Sequence, residues 1–390
     1  PKIIYKEYLF HIFMHQLIIT EKPSAAKRIA DALADDKVEV KKEGQVSIFN
    51  LNHGGNSITV VSAVGHLFTV AEKVKSFKYP SYDIDWAPSY EKNKNADYTK
   101  KYANVIKKEA KKADSFVVAY DFDIEGEVIG LNVIRYLCKQ KDAMRMKFST
   151  LTKPDIIESY DTMSPTIEWG QAKAGETRHF LDWMYGINLS RALTLAVRKN
   201  KIYKVMSSGR VQGPALKILA DREKEIRAFI PEPYWQVQLL SSKPKLEAWH
   251  KEDKIFDQKR ADEIIVKTKN QNGEIKDITK KETKQMPPFP FDLTTLQTEG
   301  YRNFGYTPKR TLEHAQELYS SGFISYPRTS SQQLTPKIGF KKIIQELMKQ
   351  SQYGPLGNQL VNKSLKPNNG KKTDPAHPAI YPTGLAPKKV

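Results

Sequence analysis

The chain has 390 residues, 39% of them hydrophobic and 10% aromatic, which is ample core material and excludes a largely disordered or fibrous protein. Its 63 Lys and Arg against 44 Asp and Glu leave a net charge of +19 spread along the chain, so a phosphate-rich partner, nucleic acid first, is expected. A single cysteine, Cys138, excludes a disulfide framework and a cysteine-built zinc site, and fits an intracellular setting.

Residues 1–13 precede Met14 and read as an upstream extension without functional weight. Residues 9–20 are apolar but broken by His11, His15 and Gln16, and no run of about 18 apolar residues occurs, so no membrane span is expected. Leu17-Ile18-Ile19-Thr20 then reads as a buried strand. Ala26, Ile29, Ala30 and Leu33 follow at helical spacing, with Pro23 suited to the first turn. Glu21 and Lys22 therefore stand where a strand hands over to a helix, a place where α/β folds carry chemistry. A second such unit follows: Phe116-Val117-Val118-Ala119-Tyr120 as strand, and Val128, Leu131, Ile134 and Cys138 at helical spacing. Residues 171–225 read as mainly helical with a break at 206–214, and residues 234–283 as short strands in a Lys-rich background. The Pro287-Pro288-Phe289-Pro290 cluster marks a boundary. A helix is predicted from Thr307-Pro308, with Leu312, Ala315, Leu318 and Tyr319 on one face and Gly322 as its stop. The polar stretch 362–373 reads as a mobile loop.

Between the second strand and helix lie Asp121, Asp123, Glu125, Gly126 and Glu127. Alternate carboxylates at a strand end suit one hard cation, and Gly126 suits a sharp turn. A solvated acidic loop is the plain alternative. A calcium loop is disfavoured, because a strand precedes the cluster and its twelfth position is Asn132. Glu21 joins as a fourth carboxylate if the two strands are neighbours, and such crowding raises at least one pKa. Tyr326 is one of 19 tyrosines, but Pro327 biases it to extended backbone and Arg328 lies two residues on, on the same side. A phenol needs nearby positive charge to act as a nucleophile, and Arg328 supplies it.

Taken together these residues resemble the type IA DNA topoisomerases, in the version of archaeal topoisomerase I and bacterial topoisomerase III. Ile18-Ile19-Thr20-Glu21-Lys22-Pro23-Ser24 resembles the opening of a Toprim domain, and Asp121 to Glu127 its D-x-D-x-E-G-E motif. Ser208-Gly209-Arg210-Val211-Gln212 is similar to the S-G-R-V-Q segment, and Phe323-Ile324-Ser325-Tyr326-Pro327-Arg328-Thr329 to the active-site tyrosine motif. Residues 376–383 resemble the later A-H-x-A-I-x-P-T segment, which contains His377. Gly65-His66-Leu67, Arg178 beside Phe180-Leu181-Asp182, and residues 293–297 also match.

The resemblance implies an α/β Toprim domain at 14–160, a helical DNA-binding portion at 161–225, a partial β-rich arch at 226–286 and a mainly helical tyrosine domain at 287–390. It implies that Tyr326 attacks a DNA phosphodiester to form a 5′-phosphotyrosine. Arg328 and Lys22 would stabilise charge, and Glu21 would give a proton to the departing 3′-oxygen. Asp121, Asp123, Glu125 and Glu21 would hold Mg²⁺. Arg178, Arg210, Gln212 and His377 are the implied DNA contacts, with His66 behind them. The only Gly-Lys pair, Gly370-Lys371, lacks P-loop spacing, so ATP is not expected to take part.

The implied partner is DNA, chiefly single-stranded or negatively supercoiled, bound by a monomer in the cytoplasm at the nucleoid. No helicase partner can be named. Ser330 follows Thr329 where many bacterial relatives carry Asp, and the chain stops at Val390, so an incomplete torus without zinc modules is expected. Two other readings use the same residues: a Toprim nuclease or primase acting without Tyr326, and a non-catalytic single-strand-binding module.

Overall fold

The computed structural model describes residues 14–76, 78–201 and 203–385; the upstream extension read at 1–13 lies outside the described residues. The chain divides into two units, one of residues up to Ser207 and from Met286 on, the other Ser208–Gln285. The first unit opens with β1 (His15–Thr20), α1 (Pro23–Leu33), β2 (Glu39–Glu43), β3 (Val46–His53), β4 (Asn56–Ser62), β5 (Phe68–Glu72) and β6 (Ile84–Pro88). It continues through α2 (Ser89–Lys92), α3 (Thr99–Ala110), β7 (Ser115–Ala119), α4 (Ile124–Tyr136), β8 (Met144–Arg145), α5 (Lys153–Asp161) and α6 (Trp169–Lys199).

Six strands form one sheet in the order β2-β3-β4-β1-β7-β8. Strand β1 runs parallel to both β4 and β7, with Thr20 level with Ser62 and Ala119. A strand enclosed on both edges and both faces must be apolar throughout, which is why β1 and β7 read as continuous hydrophobic runs. Successive side chains divide between two cores. Leu17 and Ile19 pack with Val118 and with α3 and α4 residues such as Ile106 and Leu131. Ile18, Val117 and Ala119 pack with Ile29, Ala30 and Leu33 of α1 and Ile156 of α5. Helix α1 starts at Pro23, so Lys22 is its N-cap. Gly175 brings α6 onto α4: a Cβ there would stand 2.6 Å from the Ile124 carbonyl oxygen.

The second unit contains α7 (Gln212–Ala228), the antiparallel pair β9 (Gln238–Ser242) and β10 (Lys245–Trp249), and α8 (Gln258–Thr268). Helix α8 falls inside the stretch read as short strands. Asp257 caps it by accepting from the Lys259 amide at 3.0 Å, and only Ala261 and Ile264 are buried, beside Ile255, too few to mark a helical period among the lysines.

The first unit closes with α9 (Leu293–Phe304), α10 (Pro308–Ser320), α11 (Phe340–Leu347) and α12 (Gly354–Leu360). Thr307 caps α10, and Gly322 follows its end at φ +72°. The buried face of α10 is Thr311, Ala315 and Tyr319; Leu318 is 40% exposed, because the contact stripe is narrower than the apolar one. The polar stretch read as a mobile loop is tied down at 369–372. Gln332 exchanges backbone hydrogen bonds with Gly370 and Lys372, and the Lys372 Nζ donates to Asp292 at 2.8 Å. Among the described residues no helix is long and apolar enough to cross a membrane.

Candidate active site

The carboxylates gather because β1 and β7 are adjacent and parallel and both end on the same side of the sheet. Glu21 follows β1 and Asp121 follows β7 by two residues. The Lys22 Nζ lies 3.4 Å from both Glu21 Oε1 and Asp121 Oδ2. Asp123 caps α4, its Oδ1 accepting from the Gly126 amide at 2.7 Å, a contact the helix dipole favours. Gly126 serves close approach instead of the sharp turn expected: it lies within α4, where a Cβ would stand 2.1 Å from the Asp121 carbonyl oxygen. Beneath this loop Arg145 and Glu127, both fully buried, pair at 2.5 Å. Arg145 also donates to the carbonyls of Tyr120 at 2.9 Å and Asp121 at 3.1 Å.

The tyrosine segment is laid against this end of the sheet by its backbone. The Tyr326 amide donates to the Ser149 carbonyl at 2.8 Å, and the Ser325 amide to the Tyr381 carbonyl at 2.9 Å. Tyr326 is 2% exposed and packs edge-on against Tyr319, with ring centroids 5.2 Å apart, and at a 40° tilt against His377, with centroids 4.6 Å apart. Its hydroxyl donates to Asp123 Oδ2, and the Tyr319 hydroxyl donates to Asp121 Oδ1 at 3.0 Å. Burial, and then the charges of Asp123 and Asp121, push the Tyr326 phenol far above its usual range; Arg328 opposes them and is outweighed. Arg328 thus acts in the direction expected of it, and in this arrangement burial and the two carboxylates outweigh it.

Burial, with Asp121 the next cause, raises the Glu21 pKa to about 7 even though Lys22 opposes. Three carboxylates near one cation form an all-oxygen set whose repulsion a hard divalent ion would relieve, so these residues fit such an ion. Glu125 is otherwise engaged. Its Oε2 lies 2.9 Å from His179 Nε2 and 3.2 Å from His66 Nε2, and its Oε1 lies 3.1 Å from the Arg178 guanidinium. Hydrogen bonds from His179 first, then His66, hold its carboxyl well below the usual range.

A cleft of about 510 Å³ is lined by Glu21, Lys22, His66, Asp121, Asp123, Glu125, Arg178, His179, Tyr326 and Arg328. His377 stands beside it with both ring nitrogens in use. The Phe122 carbonyl can only accept, so Nε2 carries the hydrogen at 3.0 Å, and Nδ1 accepts from the Ser149 hydroxyl at 3.0 Å. Arg210 and Gln212 belong to the second unit, exposed at the start of α7.

Sequence reasoning passed over Tyr319, treated as a core residue, and His179, whose neighbour Arg178 drew the attention. It also passed over Asp374. At Ser330, where no acid follows the tyrosine motif, the Asp374 carboxylate accepts from both the amide at 3.1 Å and the hydroxyl at 3.0 Å, so an acid reaches this place from another part of the chain. Only the match of this residue's distant neighbour His377 to a motif pointed there.

Two family models match the chain, a Toprim domain over residues 16–151 and a DNA topoisomerase over residues 166–390. The chain is 46% identical over 378 residues to a DNA topoisomerase 1 of Pyrococcus horikoshii, a match covering 95% of this chain and 55% of that protein. It is 43% identical over 382 residues to one of Methanothermobacter thermautotrophicus, covering 97% and 52%. Among solved structures it is similar to full-length topoisomerase I from Thermotoga maritima, with a TM-score of 0.62 and 25% identity over 94% of this chain and 55% of that one. The chain spans about half the length of the curated relatives it matches. With matched models over both the carboxylate-bearing and tyrosine-bearing parts, the chain belongs to the type IA DNA topoisomerase family.

Proposed function

We propose that this chain carries the cleavage centre of a type IA DNA topoisomerase, which breaks and rejoins one DNA strand through a 5′-phosphotyrosine at Tyr326, without ATP. The strand passage this permits would relax negative supercoils. The observation that carries the reading is the hydrogen bond from the Tyr326 hydroxyl to Asp123, in a cleft shared with Glu21, Lys22, Asp121 and Arg328.

The phenolic oxygen forms a bond to phosphorus as the bond to the 3′-oxygen breaks. The phenol proton leaves along its hydrogen bond to Asp123. Glu21, partly protonated near neutral pH, gives a proton to the departing 3′-oxygen. Arg328 and Lys22 stabilise the charge on the phosphoryl oxygens. Asp121 and Asp123, with Glu21 when it is deprotonated, would hold Mg²⁺, which would supply positive charge to offset the carboxylates that favour the neutral phenol. Because one phosphoester replaces another, the reverse step needs no external energy. Tyr326 is 2% exposed, so a strand would approach its hydroxyl through the cleft that Tyr326 lines.

We assign residues 14–160 to the Toprim domain, 161–225 to DNA binding, 226–286 to part of the arch and 287–390 to the tyrosine domain. Arg178 in the first unit, and in the second unit Arg210 just before α7 and Gln212 at its first position, would each contact single-stranded DNA, with phosphate contacts setting the affinity. His377, its nitrogens already engaged, would position the Tyr326 ring.

The test is a denaturing gel of 3′-end-labelled single-stranded DNA incubated with the protein and Mg²⁺, run beside Tyr326→Phe. A slow, protease-sensitive adduct absent from Tyr326→Phe is expected. Free cut ends in both proteins would replace this reading with a Toprim nuclease, and neither adduct nor cutting would count against Tyr326 as the nucleophile of this chain.

A further inference from the structure

His66, Glu125 and His179 come from three separate places: the loop after β4, the first turn of α4 and the middle of α6. Both imidazole Nε2 atoms point at one oxygen, Glu125 Oε2, at 3.2 and 2.9 Å. All three donor atoms lie within 4.8 Å of one another. The two rings are tilted by 56° with centroids 5.0 Å apart, so they converge on the oxygen without stacking. His179 is braced by Trp86, with ring centroids 5.3 Å apart, and the Ser89 hydroxyl donates to the His66 carbonyl at 3.3 Å. Arg178 occupies the other oxygen of Glu125 and so fixes the carboxylate's orientation.

We infer that His66, Glu125 and His179 form a binding site for a first-row transition cation of the Zn²⁺ class, distinct from the all-oxygen set of Asp121, Asp123 and Glu21. Two imidazoles and one carboxylate are the donor set of tetrahedral zinc, whereas Mg²⁺ takes oxygen ligands in octahedral array. Tetrahedral ligands about 2.0–2.1 Å from zinc stand roughly 3.3 Å from each other. The two separations found here are within a few tenths of an ångström of that spacing, so little rearrangement is needed. The three side chains are 36%, 27% and 29% exposed, so an ion can enter from the cleft, and the fourth position is left to water. On binding, each imidazole coordinates through Nε2 in its neutral form, and any proton it shares with Glu125 is released to solvent.

The inference is tested by titrating the full chain with Co²⁺, whose four-coordinate form gives intense visible bands, and with Zn²⁺ by calorimetry. One equivalent of tetrahedral Co²⁺ is expected, displaced by Zn²⁺ and left in place by excess Mg²⁺. His66→Ala and His179→Phe should each weaken binding at least ~10-fold, since even loss of a residue that only orients a ligand costs that much. Asp123→Asn should bind as the parent does. Absence of the bands, their erasure by Mg²⁺, or their loss in Asp123→Asn would overturn the inference. The Mg²⁺ competition needs no variant, and none of these readouts depends on DNA cleavage, so the site and the cleavage reading can fail separately.

Discussion

Tyr326 and Asp123, 203 residues apart in the chain, are joined by a hydrogen bond in which the phenol donates to Oδ2. The other oxygen of the same carboxylate caps α4 through the Gly126 amide. One side chain thus ends a helix, holds the phenol's proton and faces the cleft.

Asp123→Asn separates these tasks. Asn caps a helix about as well as Asp, so the melting temperature should change by no more than a few degrees. The amide supplies no charge for a cation, and Mg²⁺ affinity should fall at least ~10-fold, which calorimetry in the absence of DNA would read.

Glu21 gives a pH dependence whose sign is fixed. Its folded pKa of about 7 exceeds the ordinary 4.5, so the folded state binds the proton more tightly than the unfolded chain does. Without divalent ions, stability should therefore fall as pH rises from 4.5 to about 7, by up to ~3 kcal/mol. Glu21→Gln should flatten that slope, and Mg²⁺ should shrink it in the parent. Urea denaturation across this pH range, with chelator or Mg²⁺, measures both.

Arg145→Ala leaves Glu127 charged and fully buried and frees the carbonyls of Tyr120 and Asp121. A loss of ~3–5 kcal/mol is expected in chemical denaturation. Arg145→Lys should recover only part of it, because an ammonium cannot serve the carboxylate and the two carbonyls from one planar fork.

His377 should be observed by nitrogen NMR as the neutral Nε2–H tautomer. Burial lowers its pKa, with the Phe122 carbonyl partly opposing, so the folded state resists protonation. Stability should drop as pH falls below the ordinary value of about 6.5. His377→Gln should remove that acid-side loss.

Much of this site was legible in the residues. The apolar runs of β1 and β7, each followed by carboxylates and a helical period, reveal two strand-to-helix junctions, because a strand buried on both faces has no polar positions to obscure it. Pro23, Thr307 and Gly322 mark helix ends through local backbone chemistry that needs no tertiary partner. Helix α8 was hidden because so little of it is buried.

Local residue order sets the two strand-to-helix junctions, the start of α1, both ends of α10 and the residue types available for chemistry, since these depend on neighbours a few positions away. Which of those residues meet is set by the packing of the folded chain. It placed β1 beside β7, so that Glu21 and Asp121 share Lys22. It also drew Glu125 to His66 and His179, set Asp374 against Ser330, and buried Tyr326 against carboxylates that outweigh Arg328. Proton affinity and metal preference depend on burial and on charges a few ångströms away in space, and spacing along the chain does not encode those distances.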